Sequence, residues 1–122
     1  MGSMSDVKEH ITKAVGAHGL WKARLREGID KGNFDTKPEI VERCDACDFG
    51  KWLEGLTNDA ASKSEHYAKV HALHADFHKS AAAVVRLVLR GDKAAAVKSL
   101  DGEYADVSGA LTGAMMRWRA AV

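Results

Sequence analysis

The chain has 122 residues, of which 46% are hydrophobic, and its 18 Lys and Arg residues nearly balance 17 Asp and Glu residues. This length suits one domain, and a formal net charge of +1 argues against nucleic acid as the main partner, because phosphate binding needs a concentrated basic surface. No apolar run is long enough to span a membrane, and the N-terminus lacks the layout of a signal peptide, so we expect a cytoplasmic protein. Residues 1–3 resemble an expression scar, which leaves 4–122 as the predicted domain.

Apolar residues recur at steps of three and four, and no run of alternating apolar and polar residues suggests a strand, so the sequence predicts an all-α fold. The first long helix is expected to begin at Ser5 or Asp6 and to end between Glu27 and Ile29. A glycine-rich loop follows, and Pro38 can open a short helical turn. The first helix has one apolar stripe, which also contains a histidine: Val7, Ile11, Ala14, His18, Trp21 and Leu25.

Past Pro38, Ile40 and Val41 are expected to pack inward, Cys44 to Cys47 to form a second turn, and residues 48–56 to form a short helix. Two long helices should follow. The third helix is predicted to run from an N-cap at Asn58 or Asp59 to about Arg90.

The fourth helix is predicted from about Lys93 to Arg119, after a tight hairpin at Gly91 and Asp92. Three glycines inside it suggest close approach to a neighbouring helix: Gly102, Gly109 and Gly113. Three long helices and a short helix after Cys47, joined by short connections, predict an antiparallel four-helix-bundle-like domain.

Histidines on the helical stripes are candidate metal ligands. His74 and His78 lie one helical turn apart, and they flank Phe77 on an apolar face where a polar ring needs a partner. His71 competes for the same role, but it is about 10 Å from His78 along the helix axis, so one ion would take either His71 with His74 or His74 with His78. His18 occupies a core position and, taken alone, reads as a hydrogen-bonded core histidine.

The two cysteines, Cys44 and Cys47, are too close in sequence to staple a fold. Their C-x-x-C spacing is typical of redox pairs, but such pairs accompany a βαβ unit, which this sequence does not predict. The same spacing is found in zinc knuckles, but a knuckle needs a second C-x-x-C pair, which is missing here. Cys47 alone can also be a small buried apolar residue.

Three segments together resemble a known family: His18–Trp21 (HGLW), Cys47–Leu53 (CDFGKWL) and His74–His78 (HADFH). Their order and spacing are similar to the H-x-x-W, C-x-F-G-x-W and H-x-x-x-H motifs of the chemoreceptor zinc-binding (CZB) domain of bacterial signalling proteins. The resemblance implies a four-helix-bundle-like fold and a Zn²⁺ ion held by His18, Cys47, His74 and His78.

The resemblance also implies a regulatory role in chemotaxis or cyclic-di-GMP control, often in a homodimer, with the output domain or partner protein outside this chain. Four protein ligands fill a tetrahedral zinc shell, so we expect no enzymatic activity. Around the site, Trp21 and Trp52 are expected to exclude water, Phe49 to pack beside it, and Gly50 to allow close backbone approach.

Cys47 is the expected labile ligand, because oxidation of a thiolate removes its metal-binding capacity, and Cys44 is proposed as its redox partner. Two other functions stay open. A hemerythrin-like di-iron oxygen-binding bundle would need further histidines and bridging carboxylates. A structural zinc module used only for interaction would keep its metal under oxidant and chelator.

Overall fold

The computed structural model describes residues 4–56 and 64–122 of the chain. These residues form helices and turns only. The helices are α1 (Met4–Gly19), α2 (Trp21–Lys31), α3 (Pro38–Val41), α4 (Asp48–Gly55), α5 (Glu65–Leu89), α6 (Lys93–Ser99) and α7 (Ala105–Ala121). A 3₁₀ turn covers Cys44–Ala46, and a π-helical turn covers Leu100–Tyr104. The predicted all-α class is confirmed.

The N-terminal rod consists of α1 and α2, where the sequence predicted a single helix. The Leu20 amide donates to the carbonyl of Ala17, three residues back, at 3.3 Å, so the backbone tightens for one step before α2 begins. The helical stripe continues through the break, because Leu25 is buried like the stripe residues of α1.

Within the next short helix, α3, Val41 is buried as expected. Ile40 lies on the outer face and is 49% exposed, so the prediction that it packs inward is wrong.

The central helix α5 begins at Glu65, later than predicted. Ser64 is its N-cap, and the Ser64 hydroxyl accepts from the Tyr67 amide at 3.0 Å. The caps expected at Asn58 and Asp59 lie outside the described residues. The apolar stripe of α5 is buried, and it includes Val70, His74, Phe77, Ala81, Val84 and Val88.

The C-terminal rod consists of α6, the π-turn and α7, where one regular helix was predicted. The π-turn contains Gly102, and it places Leu100 and Tyr104 in the core. The predicted close helix approach at the glycines of this rod is wrong for the described part of the chain. Apart from the local backbone, none of its atoms lies within 4 Å of the position that a Cβ would take at Gly102 or Gly109, and a Cβ at Gly113 would meet only the Arg117 side chain.

The two rods pack around α5. The C-terminal rod returns antiparallel to α5 after a turn at Gly91, whose φ of 78° suits glycine. It also runs antiparallel to the N-terminal rod, because Arg119 contacts Thr12 at 3.1 Å whereas Asp101 contacts Arg26 at 3.3 Å. The short α4 covers one end of this arrangement. No helix in 4–56 or 64–122 has both the length and the apolar character that crossing a membrane requires.

Candidate metal centre

Four side chains from three helices converge between the N-terminal rod, α4 and α5. His18 lies in the last turn of α1, Cys47 is the N-cap of α4, and His74 and His78 occupy successive turns of α5. One potential ligand atom from each residue lies within 4.8 Å of the other three. These residues are far apart in sequence, so the fold brings them together.

The His74 imidazole is at the centre of the cluster. Its Nε2 atom lies 3.3 Å from Cys47 Sγ, 3.1 Å from His18 Nε2 and 3.1 Å from His78 Nε2. Tetrahedral zinc, with bonds of about 2.0–2.3 Å, separates its ligand atoms by about 3.3–3.7 Å. These three distances from His74 Nε2 are within a few tenths of an ångström of the spacing that one zinc ion requires, and the remaining pairs lie within 4.8 Å.

The outer nitrogens of two imidazoles determine their tautomers. His18 Nδ1 is 2.8 Å from the Ala14 carbonyl oxygen, and His78 Nδ1 is 2.9 Å from the Val41 carbonyl oxygen. A carbonyl oxygen only accepts, so each Nδ1 carries a proton and donates, which leaves each Nε2 with a lone pair directed into the cluster.

Protein hydrogen bonds alone cannot satisfy this centre. His74 Nε2 can carry at most one proton, yet it faces the lone pairs of both His18 and His78. A cation at the centre would accept all of these lone pairs, and the backbone carbonyls would then orient the rings, as they do around many metal-bound histidines. The donor set and geometry fit Zn²⁺.

Cys47 enters the cluster from the start of α4. Its Sγ accepts from the Gly50 amide at 3.3 Å, as an N-cap, and lies 3.6 Å from the Cys44 carbonyl oxygen, to which the neutral thiol donates. The Cα of Gly50 packs directly against that carbonyl group, and a Cβ at this position would overlap the Cys44 oxygen. The absence of a side chain at Gly50 therefore lets the 3₁₀ turn and α4 present the sulfur to the histidines.

Burial disfavours charged forms throughout the cluster. It lowers the pKa of His18 and His78 and, together with the neighbouring His78 and His18, lowers the pKa of His74 to about 2. It also raises the pKa of the half-buried Cys47 thiol, while the Gly50 amide works in the opposite direction. The imidazoles are thus held neutral, the form that binds metal.

The metal-free protein is expected to lose stability as the pH falls below about 6.5, the ordinary pKa of histidine. Below this pH the histidines of the unfolded chain bind protons that the buried histidines of the native cluster do not. The free energy of unfolding is therefore highest above this pH and declines below it. Between pH 6.5 and pH 5, His74 alone is expected to lower the free energy of unfolding by up to about 2 kcal/mol. Urea unfolding of metal-depleted protein at pH 7.5 and pH 5 measures the effect, and equal free energies of unfolding would contradict it.

Aromatic rings enclose the cluster. Phe49 lies edge-to-face against His74 at 5.2 Å, and Phe77 lies 4.9 Å from His18, in each case between ring centroids. Trp21 contacts His78 at 6.3 Å. Trp52 lies one layer further out, with its centroid 5.6 Å from that of Phe49, so it supports the ring that touches the site.

Two other candidates lie outside the four-residue cluster. His71 Nε2 is 2.8 Å from a Glu54 carboxylate oxygen, near the surface and between α5 and α4. Cys44 is a half-buried free thiol whose backbone carbonyl contacts Cys47 Sγ, and its own sulfur is not among the four clustered donors. The structure thus brings His78, and not His71, together with His18 and Cys47.

Sequence reasoning missed two contributors to the centre. Val41 orients His78 through its backbone carbonyl, and no side-chain pattern reveals such a role. Phe77 was recognised only as a core residue beside His74, and its position in an H-x-x-F-H segment was the available indication.

A helical bundle that brings three imidazoles and a thiol to one point has the architecture of a metal-binding domain. The family model of the chemoreceptor zinc-binding domain (CZB) matches residues 18–85, more than half of the chain, and this interval contains the whole cluster. The chain belongs to the CZB family, as the sequence motifs predicted. CZB domains bind zinc and act as sensors in signalling proteins, and the family is not known for catalysis. Searches of curated proteins and of solved structures gave no match.

Proposed function

We propose that this chain is a zinc-dependent regulatory domain in which His18, Cys47, His74 and His78 hold one Zn²⁺ ion. The observation that carries the proposal is the set of inward lone pairs on His18 and His78, both facing His74 Nε2, with Cys47 Sγ 3.3 Å from the same atom. When bound, zinc would cross-link α1, α4 and α5 and be closed to substrate by its four protein ligands.

The responsive element in this proposal is α4. Cys47 is half-buried, whereas His18, His74 and His78 are all buried, so the sulfur is the ligand nearest to solvent. Besides the site, α4 is tied to α5 by the hydroxyl of Tyr67 on the Leu53 carbonyl at 2.9 Å and by the pair of His71 with Glu54. Loss of the sulfur ligand would leave α4 held by these contacts and by the packing of Phe49 and Leu53, without its link through the metal, and would allow it to shift.

Oxidation of Cys47 is the proposed input that removes this ligand. A hydroperoxide would transfer one oxygen to the Cys47 thiolate, which yields a sulfenic acid and an alcohol after proton uptake. The Cys44 thiol would then attack the sulfenic sulfur, so that a disulfide forms and water leaves. Only two residues lie between the two cysteines, and the 3₁₀ turn that covers Cys44–Ala46 keeps their backbones close.

The output in this proposal is a change in a chemotaxis or cyclic-di-GMP signalling protein. It would act in the cytoplasm through an attached domain or a partner, with two copies of the domain forming a homodimer. Family membership supports the signalling role. Among the described residues, the clustered donors include no carboxylate, so the bridging acids of a hemerythrin-like di-iron site are not part of this cluster.

Elemental analysis of purified protein tests the proposal. We expect about one zinc per wild-type chain, a clear loss in Cys47→Ala, and normal zinc in Cys44→Ala, since the cluster contains only one of the two sulfurs. Full zinc content and affinity in Cys47→Ala would contradict the assignment of the site.

Treatment of the same three proteins with a hydroperoxide tests the redox step. Wild-type protein should release zinc and recover it after reduction by a thiol, whereas Cys44→Ala should release zinc but recover it less completely, because its sulfenic acid has no resolving thiol and oxidises further. Identical recovery in wild type and Cys44→Ala would exclude the resolving role. Retention of zinc by wild-type protein under oxidant would instead indicate a purely structural zinc module.

A further inference from the structure

Two clefts in the protein surface reach the metal centre. The larger, about 580 Å³, lies between α1 and α4 and is bordered by His18 and Cys47. The smaller, about 140 Å³, is bordered by Cys47 and His78. Trp21, Arg24 and Cys47 line both clefts, so the Trp21 and Arg24 side chains lie where both clefts border the sulfur ligand of the cluster.

Trp21 and Arg24 belong to a layered stack on the outer side of the site. The Arg24 guanidinium lies 4.2 Å from the centre of the Trp21 ring and 5.2 Å from that of Phe34, and the two rings are within 17° of parallel. Such placement of a cation over aromatic faces is attractive. Arg24 also pairs with Asp35 at 3.2 Å, so one side chain joins α2 to the loop that follows it.

The loop backbone is shaped to supply the outer layer. Gly32 has a φ of 70°, which turns the chain at the end of α2, and the Asn33 amide then donates to the Gly28 carbonyl at 3.1 Å. Phe34 is thereby pressed against Gly28, where a Cβ would lie 2.8 Å from Phe34 Cδ1. The stack is consequently anchored from its outer side, with Phe34 and Asp35 both fixed near Arg24.

We propose that Trp21, Arg24 and Phe34 form a lid that controls the rate at which metal and small reagents reach or leave the centre. Trp21 touches His78 and lines both clefts beside Cys47, and the Arg24 guanidinium lies over the Trp21 ring and holds it in this position. Opening requires that Arg24 release the rings and Asp35. The lid rests on the proposed zinc site and adds a kinetic role for Arg24.

Zinc transfer from the loaded protein to an excess of the chromophoric chelator 4-(2-pyridylazo)resorcinol measures lid opening. Arg24→Ala should release zinc about five- to tenfold faster than wild type, the range that loss of a cation–π contact on a partly buried ring corresponds to. Asp35→Asn should show a smaller increase, because it removes the ion pair and leaves the stack.

Arg26→Ala is the matched control. Arg26 is on the same helix and pairs with Asp101 at 3.3 Å, a similar exposed ion pair remote from the rings, so its release rate should equal that of wild type. The equilibrium zinc affinity and the visible spectrum of the cobalt-substituted protein should be the same in all four proteins, since the ligands are untouched.

Equal release rates in Arg24→Ala and Arg26→Ala would overturn the lid. So would a loss of affinity in Arg24→Ala as large as the rise in its release rate, because that result assigns Arg24 to site stability and not to access. A wild-type protein that binds no zinc would instead refute the proposed metal site itself, so the two failures are distinguishable.

Discussion

Replacing His74 with alanine is expected to weaken zinc binding by about 100-fold or more, since structural zinc sites bind with roughly 10–16 kcal/mol shared among four ligands. His74 is the side chain whose Nε2 contacts all three other members of the cluster. Its ring is also buried, so no water-exposed group can replace it without opening the core. Competition titration against a chelator of known zinc affinity measures the change.

His71→Ala is the control for this substitution. His71 is on the same helix, one turn before His74, but it pairs with Glu54 near the surface. Its removal should leave zinc affinity within about twofold, because an exposed ion pair contributes little. If the two alanine variants lost zinc affinity equally, the central position of His74 would be wrong.

Gly50→Ala is expected to destabilise the protein by about 2–3 kcal/mol, the cost of forcing a methyl group into a filled space. The atom in the way is the backbone carbonyl oxygen of Cys44, which cannot rotate aside as a side chain can. Either α4 or the 3₁₀ turn must therefore move, and Cys47 lies between them. Zinc affinity should fall together with the free energy of unfolding, measured by urea denaturation of the metal-free and zinc-loaded forms.

Gly55→Ala provides the comparison within the same helix. Apart from the local backbone, no atom of residues 4–56 or 64–122 lies within 4 Å of a Cβ at Gly55, and its φ is not positive, so alanine should be accepted there and should stabilise the helix by about 0.5–1 kcal/mol. Similar destabilisation by both substitutions would show that α4 tolerates no alanine, and that the contact between Gly50 and Cys44 has no special importance.

The helical stripes could be predicted from sequence, because the residues that a helix buries are apolar and recur at its period. His18 and Leu25 both belong to the predicted stripe of the first helix, and both are buried in the N-terminal rod. The interruptions could not. The break at Leu20 leaves the apolar period intact, and the π-turn adds one residue to a turn without any proline to mark it.

The start of α5 illustrates a different limit. Asn58, Asp59 and Ser64 are all good N-cap residues, so local preference alone does not choose among them. The structure uses Ser64, and Tyr67 in the first turn then reaches the Leu53 carbonyl of α4. A tertiary contact of this kind has no sequence pattern, and it was accordingly not predicted.

At the candidate site, spacing within one helix left two pairs of histidines open. The resemblance to the CZB motifs favoured His78 over His71, and the structure provides a physical reason: the Val41 carbonyl lies where it can orient His78, whereas α4 offers Glu54 to His71. The stack of Arg24 on Trp21 depends on the path of the loop after α2, and no sequence pattern marks that path.

X-ray absorption spectroscopy at the zinc edge, on the protein loaded with one equivalent of zinc, tests the whole account most directly. A single ion joining the N-terminal rod, α4 and α5 would show one sulfur neighbour at about 2.3 Å and three imidazole nitrogens at about 2.0 Å. A shell without sulfur, or one dominated by oxygen, would mean that zinc is bound elsewhere and that the four converging side chains serve another purpose.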